Sequence, residues 1–121
     1  MAARITEFVL DCLDPERLAA FWCEVLGFTV LDRDDDGVAI GPAEGARWIL
    51  LFSRSTDPRN GKLRLHIDIN ATDRDQDDEL RRLLELGAKP AEIGQTGAES
   101  WYVLADPEGN EFCLLRSRVD P

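Results

Sequence analysis

The chain has 121 residues, enough for one substantial hydrophobic core and too few for a second full-sized domain. Hydrophobic residues make up 44% and charged residues 31%, an ordinary globular balance that excludes disordered and fibrous classes. The 24 acidic residues outnumber the 14 basic ones and leave a net charge of −10. Such a charge repels phosphate backbones and anionic lipids, so neither nucleic acid nor membrane is expected as a partner. Cys12, Cys23 and Cys113 are odd in number and show no CxxC spacing, which points to a reducing compartment, the cytoplasm. Arg4, Thr6 and Glu7 interrupt the opening apolar run, so no secretory leader is expected, and no stretch is long enough to span a bilayer.

Residues 4–12 alternate as a strand, with Phe8, Leu10 and Cys12 on one face and Glu7 and Asp11 on the other. Asp14 and Pro15 then have the chemistry of an N-cap and a first helical residue. Leu18, Phe21, Trp22, Val25 and Leu26 follow at helical spacing, and Gly27 closes the helix. Strands are expected at 28–33, 37–41 and 47–53, separated by the Asp34–Gly37 turn and the Pro42–Gly45 loop. The same order then recurs: a strand at 63–70, a helix from about 74 to 86 closed by Gly87, and strands at 88–93, 100–105 and 111–116. A tight turn at Asp106–Gly109 separates the last two.

Set side by side, ITEFVLD (5–11) matches RLHIDIN (64–70), LGF (26–28) matches LGA (86–88), and RWILLFS (47–53) matches EFCLLRS (111–117). One βαβββ unit is therefore used twice, over about 4–56 and 63–118, within a single α+β domain spanning 1–121. The repeat puts Glu7 and His66 at corresponding places on their first strands, and it pairs Cys113 with Ile49. Among the polar residues of these strands and their approaches, Arg47, Arg64 and Asp68 can orient a small polar molecule, and Trp48 and Trp101 can wall a cavity or fill a dimer seam. His66, the only histidine, is the candidate acid or base. A hydrogen bond from His66 to Glu7 or Asp68 is the alternative, purely structural reading, and Cys113 read the same way is a small buried hydrophobe. No GxSxG, phosphate-cradling glycine loop or HExxH is present, which removes serine-hydrolase, nucleotide-dependent and zincin chemistry.

The run LDPERLAAFWCEVLGF, the later LRLHIDI with LRRLLELGA, and the closing WYVLADPEGNEF together resemble the vicinal oxygen chelate superfamily, the glyoxalase, bleomycin-resistance and dioxygenase proteins. The resemblance covers nearly the whole chain. It implies two βαβββ repeats curled into a cupped mixed sheet with helices on the outer face, assembled as a homodimer. It also implies one divalent metal (zinc, iron, nickel or manganese) inside the cup, with the ligand places falling on Glu7, His66 and Cys113. Such a site would serve a lyase, isomerase or dioxygenase acting on a small organic molecule, with His66 and Glu7 as the catalytic pair. A thiol departs from the usual carboxylate at the third place, and this departure supports the alternative: a metal-free protein that sequesters a drug, as bleomycin-resistance members do.

Overall fold

The computed structural model describes residues 2–45, 47–56, 61 and 63–121. It divides into two compact units, Met1–Pro58 and Arg59–Pro121, each an α+β assembly of four strands and one helix. In the first unit β1 (Glu7–Cys12), β2 (Thr29–Arg33), β3 (Gly37–Gly41) and β4 (Ile49–Arg54) hydrogen-bond in the order β1-β4-β3-β2. In the second, β5 (Ile67–Ile69), β6 (Lys89–Pro90), β7 (Tyr102–Ala105) and β8 (Glu111–Leu114) repeat that order as β5-β8-β7-β6. The first strand of each unit runs parallel to the last, and the other neighbours are antiparallel, so both sheets are mixed and open.

Helix α1 (Pro15–Leu26) begins where Asp14 accepts a hydrogen bond from the backbone N–H of Arg17, with Pro15 in the first turn. It ends at Gly27, whose φ of 68° is the left-handed conformation that lets its N–H reach the Cys23 carbonyl. Leu18, Phe21, Trp22 and Val25 form its buried stripe, against a sheet face on which Val38, Ile40, Leu50 and Phe52 are also buried. Helix α2 (Gln76–Leu86) starts two residues later than the sequence suggests. Asp75 is the residue whose carboxylate accepts the free N–H of Asp78, so it fixes the helix start. Asp77, Asp78 and Glu79 crowd the first turn, where negative charge suits the helix dipole.

Several strands are shorter than expected. The segment expected as a strand over 63–70 pairs only at Ile67–Ile69, and Arg64 and Leu65 lie in a bend. The parallel partner β8 begins at Glu111, directly after the Asp106–Asn110 turn, so the residues before Ile67 have little ladder to join. The apolar alternation of that segment is consequently not buried: Leu65 is 73% exposed. Strand β6 shrinks to Lys89–Pro90, because proline contributes no N–H to a ladder.

The registers also constrain the internal alignment. Glu7 stands opposite Ile49 and Val9 opposite Leu51, whereas Ile67 stands opposite Phe112 and Asp68 opposite Cys113. On the other side of the last strand, Ile40 faces Leu50 just as Leu104 faces Phe112. The ladders carry one of the two matches at a time: Glu7 with His66 sets Ile49 with Glu111, and Ile49 with Cys113 sets Glu7 with Asp68. A two-residue slip keeps every side chain on its own face, so ILLF and FCLL look alike in either alignment.

Candidate metal centre

Strand alternation puts His66 and Asp68 on one side of the chain, and the parallel ladder sets Asp68 across from Cys113. One side-chain ligand atom from each of His66, Asp68 and Cys113 lies within 4.8 Å of the other two. His66 Nδ1 is 3.0 Å from Asp68 Oδ1, and both side chains are exposed. Cys113 is only 6% exposed; it sits in the middle of the ladder, between Asp68 on β5 and Val103 on β7. The sulfur is the floor of the cluster and the two harder donors are its rim.

Burial pushes the Cys113 thiol above its ordinary range, and the negative charge of Asp68 and a hydrogen bond to its carboxylate act in the same direction. Asp68 is thus the hub. Its carboxylate meets the imidazole on one side and the thiol on the other, so it is the carboxylate that orients His66.

The donor set fits a divalent cation. Imidazole, carboxylate and thiolate are all accepted ligands of zinc and ferrous iron, and in a tetrahedral site such atoms stand roughly 3.5 Å apart. Three protein donors would leave a coordination position for a small molecule.

The other sequence-selected residues lie elsewhere in their units. Glu7 opens β1, exposed, opposite Ile49. Arg47 and Trp48 form the bend before β4; the Arg47 carbonyl accepts from Arg4 Nη1 at 3.3 Å, and Trp48 meets Phe8 edge-on with ring centroids 5.1 Å apart. Arg64 lies in the bend before β5 and Trp101 in the bend before β7, both exposed. Glu111 opens β8 two residues before Cys113 and on the same face, and its Oε2 accepts the backbone N–H of Leu63 at 3.3 Å. Parity alone marked Asp68 as a ligand contact; its place at the centre of the cluster depends on the register, which the sequence does not display.

Residues 7–115 match the family model described as a glyoxalase-like domain. Among solved structures, the chain is similar to a glyoxalase/bleomycin resistance protein/dioxygenase family enzyme from Burkholderia phytofirmans, at 17% identity and a TM-score of 0.69 over 90% of this chain and 94% of that one. It is also similar to FosX, a fosfomycin resistance protein from Listeria monocytogenes, at 14% identity and a TM-score of 0.72 over 98% of this chain and 93% of that one. That FosX structure is a complex with Mn(II) and dihydroxypropylphosphonic acid. A possible glyoxalase from Bacillus cereus shares 17% identity, with a TM-score of 0.65 over 94% of this chain and 99% of that one. No curated protein matches in sequence.

Proposed function

The chain belongs to the glyoxalase-like domain family, and on that premise we propose that its second unit holds one divalent cation on His66, Asp68 and Cys113 and binds a small organic molecule beside it. The observation that carries this reading is the convergence of three chemically different donors within 4.8 Å. A divalent cation in such a place supplies Lewis acidity to oxygens of the bound molecule, the requirement shared by lyase, isomerase and dioxygenase chemistry in this superfamily. Without a cation, His66 would instead hold or pass a proton, with Asp68 fixing its ring. Arg64 and Trp101 are the proposed contacts for the organic molecule on this unit. Glu7 enters through the repeat, at the place on β1 that corresponds to His66, and its role as a ligand is tested alongside. The reading includes a homodimer in the cytoplasm, a setting consistent with three free cysteines.

One feature favours the metal-free, sequestering alternative: imidazole, carboxylate and thiol satisfy one another without a cation. The acidic balance of the chain would then suit a cationic guest.

Elemental analysis of anaerobically purified protein separates the two. The expected result is one divalent ion per chain, lost in His66→Ala and Asp68→Asn, each of which removes a proposed ligand. A protein that takes up none of zinc, nickel, manganese or ferrous iron sinks the metal reading. Stoichiometric capture of a cationic antibiotic without turnover would then establish the alternative.

A further inference from the structure

We infer that Cys113 makes this centre selective for thiophilic, borderline cations such as zinc, cobalt and ferrous iron, at the expense of manganese and magnesium. The inference rests on the metal reading above and adds to it the choice of ion.

Cys113 is held on both sides. The parallel ladder to Asp68 and the antiparallel ladder to Val103 fix its backbone, and burial to 6% exposure leaves its side chain little room to turn away. An ion gripped by the exposed His66 and Asp68 therefore meets the sulfur at the floor of the same cluster. Binding releases the thiol proton to solvent and forms a metal–sulfur bond. Thiolate and carboxylate then balance the two positive charges, with the imidazole neutral, so the poorly hydrated floor carries no net charge. Soft thiolate donors favour zinc and its neighbours, whereas magnesium and manganese favour all-oxygen surroundings. Glu111 is the competing donor. It lies two residues earlier on the same face of β8, and it offers a hard carboxylate. If it took the place of the sulfur, the selectivity would run the other way.

The test uses the full-length apoprotein under anaerobic conditions, titrated with Co(II) and then competed with Zn(II) and Mn(II). Co(II) is expected to give an intense thiolate-to-cobalt charge-transfer absorption in the near ultraviolet, absent in Cys113→Ser and discharged by zinc. Every nitrogen, oxygen or sulfur site prefers zinc to manganese to some degree, so the decisive quantity is the change in that preference. The zinc-to-manganese affinity ratio should fall by at least about tenfold in Cys113→Asp. Cobalt bound without the thiolate band, or a ratio unchanged in Cys113→Asp, overturns the inference and leaves the metal reading standing. Failure to bind cobalt or zinc at all overturns both. The band in the unsubstituted protein decides the matter even where a variant folds poorly.

Discussion

Asp106 is 2% exposed, and its carboxylate accepts the backbone N–H of Glu108 at 2.9 Å and of Asn110 at 3.0 Å. The Asn110 amide adds a contact to Oδ2 at 3.0 Å, and the turn closes with the Gly109 N–H on the Asp106 carbonyl at 2.8 Å. The sequence announces a tight turn here through Asp-Pro-Glu-Gly, but it does not announce that the aspartate is buried and that it organises the two residues leading into β8. Asp106→Ala should destabilise the protein by about 2–4 kcal/mol, because buried donors are left unpaired at about 1–3 kcal/mol each. Denaturant unfolding measures this, and a loss within about 0.5 kcal/mol, the size of an ordinary surface substitution, would contradict it. Residue chemistry at the centre was legible in a similar, partial way. His66 and Cys113 stood out by type and by resemblance. Asp68 stood out only by parity, and its contacts with both could be read from no single position.

Strand register decides what the elements can do, and it was the least legible property of the chain. Two apolar runs of the same parity align equally well when slipped by two, and the hydrophobic pattern cannot tell the choices apart. The ladders add that the match of Glu7 with His66 and the match of Ile49 with Cys113 exclude one another. Element order, helix caps and closing glycines were legible because each has a local chemical signature. Strand lengths were not, because a strand lasts only as long as its neighbour does. Gly37 shows how tightly two strands can be set. A Cβ at this position would collide with the Phe52 carbonyl of β4, which lies against the start of β3. Gly37→Ala should therefore cost about 1–3 kcal/mol through forced separation of β3 from β4. A thermal melt of the variant indistinguishable from that of the parent would show that the ladder yields freely.

On the scale of the whole molecule, the fold class, the duplication and the family were readable from sequence, since repeated caps, turns and periodicities reinforce one another. What the chain covers its apolar surface with was not readable. Ile5, Val9 and Trp48 are exposed on the first unit, and Leu65, Trp101 and Tyr102 on the second. The proposed homodimer would cover such side chains. Light scattering on the eluting protein should give twice the chain mass, with Val9→Lys or Leu65→Lys shifting the population towards single chains. A monodisperse single chain at micromolar concentration would leave the proposal without support. No helix among the described residues is long and apolar enough to cross a membrane.

Among the described residues the four-stranded scaffold is present twice, and the cluster of imidazole, carboxylate and thiol once, in the second unit. On the proposed metal reading, ions should then be counted per chain and not per repeat, and the two halves answer to different constraints. With Glu7 matched to His66, Asp68 and Cys113 correspond to Val9 and Leu51, two side chains with no electron pair to offer a cation. These are free to vary with whatever packs against them, while Asp68 and Cys113 would have to satisfy a fold and a ligand field at the same time.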